Sequence, residues 1–139
     1  MSGRIPSATV ARRRARVTEI VRALPGAAVE GERHLGFSVR GRRFAWYVED
    51  HRGDGRVALH CKALPGVNRA RAEADPERFH VPPYVGSKGW LGIWLDGRDL
   101  DWEEVEAVLH DAYRLVVPVR LDGAPPRGRR TRATRRRPR

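Results

Sequence analysis

Apolar residues recur at every second position through the middle of this chain and every three to four positions near its ends. That change of period restricts the fold more than any other feature of the sequence. Residues 7–24 read as a helix, with Val10, Val17, Ile20, Val21 and Leu24 on one stripe and Arg12, Arg13 and Arg16 largely off it. Pro25-Gly26 stops that helix. Phe37 and Val39 then alternate with Ser38 and Arg40, a turn at Arg40-Gly41-Arg42 follows, and Phe44, Trp46 and Val48 resume the period of two. The pattern predicts a hairpin with these apolar side chains on one face.

Glu49 to Arg56 is a polar, glycine-containing loop, after which Val57, Leu59 and Cys61 alternate with Ala58, His60 and Lys62 as a third strand. A short helical stretch at 68–77 ends near Asp75-Pro76. A further strand places Leu91, Ile93 and Leu95 inward and Trp90 and Trp94 outward. Asp101, with Glu104 three residues on, opens a last helix as a capping box. Its buried stripe is Trp102, Val105, Val108, Leu109, Ala112 and Tyr113. Two amphipathic helices enclosing antiparallel strands must cover one face of a sheet. The fold class is therefore an α+β two-layer sandwich, with the N- and C-terminal helices packed on one face of an antiparallel sheet.

Charge divides the chain differently. Residues 120–139 hold nine arginines against Asp122, residues 1–24 hold six against Glu19, and residues 25–119 sum to −2 out of a total of +11. The expected organisation is a flexible N-terminus at 1–6, one domain at 7–119 and a disordered Arg-rich tail at 120–139. A polycation without hydrophobic anchors has phosphate backbones as its commonest partner. Cys61 is the sole cysteine, which excludes an intramolecular disulfide and fits a reducing cytoplasm. No apolar stretch approaches the roughly 18 residues of a membrane span. A cytoplasmic, monomeric protein without a membrane partner is expected.

Several segments match a known family in order and spacing. They are Phe37-Ser38-Val39-Arg40-Gly41-Arg42-Arg43-Phe44-Ala45, Leu59-His60-Cys61-Lys62, Val81-Pro82-Pro83-Tyr84-Val85-Gly86, Gly89-Trp90-Leu91-Gly92-Ile93, Leu95-Asp96 and Asp111-Ala112-Tyr113-Arg114-Leu115. Over residues 10–119 the chain resembles the MmcQ/YjbR family of small bacterial proteins, whose fold is similar to that of CyaY and frataxin. Many members have lysine after the hairpin glycine where this chain has Arg42 and Arg43, and serine where it has Ala112. The resemblance implies a CyaY-like fold and DNA binding through a pair of winged loops. It supplies no catalytic residues, and the arginine tail lies outside it.

Three sets of residues are candidates for nucleic-acid contact. The first is the two strand loops acting as wings, through Arg40, Arg42, Arg43, Arg52 and Arg56, since arginine forks grip phosphate. The second is the sheet face left open by the helices, where His60, Lys62, Trp90 and Trp94 interleave rings and cations; tryptophans packed on each other or under a loop are the plainer reading. The third is the tail, through Arg127, Arg129, Arg130, Arg132, Arg135, Arg136, Arg137 and Arg139. About five tail arginines on duplex phosphates would give a slope of log K against log salt of roughly −4 to −5. Pro82-Pro83-Tyr84 reads as a structural corner with Tyr84 packed on the body, or functionally as a pocket rim with Lys88.

Metal and catalytic motifs are absent from the sequence. His34, His51, His60, His80 and His110 show no i, i+4 pairing, and no nucleophile elbow, zinc motif or phosphate-binding glycine loop occurs. No metal, cofactor or enzymatic activity is expected. The reading is a non-enzymatic DNA-binding protein, with DNA a better partner than RNA. An RNA- or ribosome-associated factor, or a small-molecule- or protein-binding regulatory module with an incidental tail, are the alternatives.

Overall fold

The computed structural model describes residues 5–117. Helix α1 (Ser7–Arg22) leads into β1 (Ala27–Glu30), β2 (Leu35–Val39), β3 (Arg42–Glu49) and β4 (Val57–Cys61). Helix α2 (Val67–Ala74), β5 (Phe79–His80), β6 (Leu91–Trp94) and α3 (Trp102–Arg114) complete the order, with single 3-10 turns at His51–Gly53 and Val85–Lys88. The strands form one antiparallel sheet in the order β1-β2-β3-β4-β6-β5. The expected α+β sandwich is therefore the observed architecture. The two edge strands β1 and β5 lie outside the sequence expectation, and both are short.

One face of the sheet carries the core. Val17, Val21 and Leu24 of the first helical segment meet Val105, Leu109 and Tyr113 of α3 over Phe37, Val39, Leu59, Leu91 and Ile93. Each fully buried side chain of this kind contributes roughly 1.5–3 kcal/mol. Tyr113 donates its hydroxyl to the carbonyl of Pro25 at 2.6 Å, tying α3 to the end of α1. Asp101 caps α3 by accepting from the backbone N–H groups of Glu103 and Glu104, an arrangement worth about 1 kcal/mol. The Glu104 carboxylate accepts from Arg71 and Arg78 instead of closing the box, and so joins α2 and the start of β5 to α3.

One local irregularity decides what the other face presents. Val39 and Arg42 pair across a two-residue turn in which Arg40 and Gly41 both have positive φ, the geometry that matches strand twist. Beyond Ser38↔Arg43 the register shifts, and Phe37 pairs with Ala45, leaving Phe44 as an extra bulged residue. Phe44 and Ala45 both join the core, and every later residue of β3 changes face. Tyr47 therefore enters the core, while Trp46 and Val48 turn to the helix-free side. The sequence expectation that Phe44, Trp46 and Val48 share one face is corrected by this bulge.

Candidate functional site: a ring-lined cleft on the helix-free face

The helix-free face is paved with rings. Gly36, Trp46, His60, Gly92 and His80 are successive cross-strand partners over β2, β3, β4, β6 and β5, with Val48, Ala58 and Trp94 in a neighbouring row. The two glycines are seats for flat groups. A Cβ on Gly92 would stand 2.3–2.7 Å from three ring atoms of His80. The His80 imidazole thereby lies low against the sheet and stacks on Trp94 at 3.7 Å between centroids. The Arg56 guanidinium carbon is also 3.7 Å from the Trp94 ring centroid. Two groups that close cannot share one side of a ring, so the indole is held between imidazole and guanidinium.

His34, His51, His60 and His80 follow one another edge to face, with centroids 5.8, 5.6 and 5.8 Å apart. They come from four separate segments, and no spacing in the sequence announces the row. Among the described residues no group of three or more His, Cys, Asp or Glu is arranged to hold a metal ion. Burial holds the His60 imidazole down at about 3, with the neighbouring His80, His51 and His34 acting in the same direction. Burial also lowers His80 to about 4, assisted by Arg56 and opposed by Asp54 and Asp96. Its Nδ1 is buried without a protein partner, so protonation there would strand an N–H. His34 is lowered chiefly by burial as well. These three imidazoles are neutral at physiological pH, and neutral imidazole offers one donor and one acceptor.

Beside this row lies a cleft of about 370 Å³. Trp46, Val48 and His60 contribute from the sheet, His34 and His51 from the loops at one end of it, and Pro83, Tyr84 and Val85 from the segment before β6. Tyr84 has φ 65° and ψ −68°, and the Val85 N–H donates to the Pro83 carbonyl at 2.7 Å. This is the positive-φ γ-turn, rare and strained. It leaves the Tyr84 side chain 71% exposed rather than packed on the body, which corrects the structural-corner expectation. Arg52, also at positive φ, sets its guanidinium 4.7 Å from the Tyr84 ring centroid. Two strained non-glycine residues from different loops thus meet at the rim of one cleft.

The sequence-derived candidates divide by position. Arg40 and Arg42 are exposed at the β2–β3 turn. Arg43 folds back over Gly36, its guanidinium 4.4 Å from the Trp46 ring and 3.3 Å from Glu30. Arg56 is bidentate to Asp96, which is 2% exposed and also accepts from the Val57 N–H. The two arginine loops flank β3 at opposite ends, about 25 Å apart for eight residues at roughly 3.3 Å each. Only the β3–β4 loop borders the cleft.

On the open face, His60 is buried in the histidine row and Trp94 is half-buried. Trp90 was expected to face outward with Trp94 but is buried, its carbonyl accepting from Asn68. Lys62 was expected beside His60. The strand ends at Cys61, however, and Lys62 lines a groove with Val108, Asp111 and Arg114 on the helix side. Tail residues Arg127, Arg129, Arg130, Arg132, Arg135, Arg136, Arg137 and Arg139 lie outside the described residues. No described helix is long and apolar enough to cross a membrane.

The family model described as YjbR matches residues 22–115. This chain belongs to the YjbR family. The match takes in the whole sheet and every cleft residue, and leaves out most of α1 and the arginine-rich C-terminal segment. The crystal structure of the Deinococcus radiodurans protein DR2400, a DUF419-domain protein, is similar in fold, with a TM-score of 0.59 and 22% identity. The alignment covers 72% of this chain and 75% of DR2400. No curated protein matches the chain. In this YjbR domain the helix-free face carries the rings, with His80 seated over Gly92, Arg43 over Gly36 and Trp46, and Arg56 against Trp94.

Proposed function

We propose that the protein is a non-enzymatic DNA-binding protein whose folded domain contacts phosphates through Arg40, Arg42 and Arg52. The observation that carries this reading is how the domain distributes its arginines. Several are tied down by the fold: Arg13 donates to the carbonyls of Leu95, Gly97 and Arg98, and Arg14 to those of Glu32 and Arg33. Arg33 pairs with Asp50, Arg56 with Asp96, and Arg71 and Arg78 with Glu104. Arg40, Arg42 and Arg52 are exposed and, among the described residues, meet no carboxylate, as is also true of Arg12, Arg16, Arg22, Arg69 and Arg98 elsewhere on the domain. Of all these, Arg40, Arg42 and Arg52 stand at the two ends of β3, Arg42 on the side of its partner Val39, so a backbone laid along that strand would meet a cation at each end.

A guanidinium free of acids at a surface of this kind is set for a phosphate fork. The arginines of the tail add attraction that is indifferent to sequence. Duplex DNA titrated at several salt concentrations into the full chain and into the Arg40→Ala/Arg42→Ala/Arg52→Ala variant tests the reading. Three lost contacts should flatten the slope of log K against log salt by roughly 2.7. An unchanged slope would mean that the domain's arginines touch no phosphate.

A further inference from the structure

We infer that the ring-lined cleft takes an unpaired base of a single-stranded nucleic acid, stacked between Tyr84 and the Trp46 side of the sheet, with the adjoining phosphate at Arg52. This rests on the reading of the protein as a nucleic-acid binder with Arg52 on a phosphate, and adds what the cleft beside Arg52 selects. A volume of about 370 Å³ lies in the range of sites for small ligands. Flat side chains, rather than branched aliphatic ones, supply most of the lining. The groove of about 310 Å³ beside α3 offers the contrast, being walled by Ala63, Leu64, Val67 and Leu91 without a ring.

Chemistry at the rim matches a nucleotide and not merely an apolar molecule. Arg52 lies over Tyr84 and pairs with no carboxylate among the described residues, so a cation waits one ring away from the stacking surface. Neutral imidazoles in the cleft can both donate to and accept from a base edge. The strained γ-turn keeps the Tyr84 ring out of the core, where it has little packing to gain and a full face to offer. A base inside a duplex is stacked and paired and cannot reach such a cleft; a strand with splayed bases can.

The test uses the full chain, a fluorescein-labelled oligothymidine strand and a labelled duplex of equal length, read by anisotropy at fixed salt. Tyr84→Gly removes the ring at an exposed position whose backbone favours glycine, and Trp46→Leu removes a second ring of the lining. Circular dichroism confirms that each variant is folded. One stacked base is worth roughly 5- to 150-fold in affinity. Each variant should lose single-strand affinity by at least the lower figure while duplex affinity stays within about two-fold. Unchanged single-strand binding in Tyr84→Gly would overturn the inference. So would thymidine monophosphate binding as tightly as the strand, which would make the cleft a free-nucleotide site. If neither strand nor duplex binds, the proposed function fails first; if duplex binds with the expected salt slope and no single-strand loss follows, only the cleft assignment fails.

Discussion

Acidification from about pH 7 to about pH 5 is expected to destabilise this domain through two imidazoles that the fold keeps neutral. His60 is held at about 3 and His80 at about 4, against 6.5 in an unfolded chain. Below 6.5 the unfolded chain takes up protons that the folded chain refuses. The stability is therefore complete above 6.5 and drains as pH falls toward the folded values. Each such histidine costs about 1.4 kcal/mol per pH unit once below 6.5. Between about pH 7 and about pH 5 the loss is about 2 kcal/mol from His60 and at most the same from His80, whose partial exposure lets solvent screen part of it. A total of at most about 4 kcal/mol is a large share of a typical 5–15 kcal/mol. Urea denaturation followed by tryptophan fluorescence at the two pH values measures the loss directly. A His60→Gln/His80→Gln variant should show less than half of it. An equal loss in that variant would refute the role given to the histidine row.

Gly92→Ala should place a methyl against the His80 ring and cost about 1–3 kcal/mol as overpacking, with the near-ultraviolet dichroism of Trp94 altered; an unchanged spectrum would show that the seat is not required. Asp96→Ala leaves the Arg56 guanidinium without its buried partner, and should cost about 3–5 kcal/mol in chemical denaturation. A loss below about 1 kcal/mol would mean that Arg56 swings freely into solvent.

Much of the architecture is legible in the sequence because it follows from period. The stripes of α1 and α3, the inward sets Phe37/Val39, Leu59/Cys61 and Leu91/Ile93/Leu95, and the Asp101 cap all sit where alternation and capping chemistry put them. The short edges were not legible. Ala27–Glu30 and Phe79–His80 are strands only because a neighbour offers a ladder. The cleft was hidden by a single residue, since the bulge at Phe44 reverses the faces of Trp46 and Val48. Until that phase is known, His34, His51, His60 and His80 are four histidines without a common spacing. Arginine roles were equally unreadable: Arg56 and Arg42 look alike in the sequence, and only the fold shows that Asp96, forty residues on, claims the first.

On the proposed reading, nucleic acid meets this protein at the cleft on the helix-free face, with Arg52 on its backbone. A single-stranded oligonucleotide carrying 5-iododeoxyuridine, photo-crosslinked to the full chain and mapped by mass spectrometry of the peptides, tests it most directly. Crosslinks should fall in the segments that carry Trp46, His51 and Tyr84, and should be lost from the last of these in Tyr84→Gly. Crosslinks confined to residues 118–139, or to the helices, would contradict this reading.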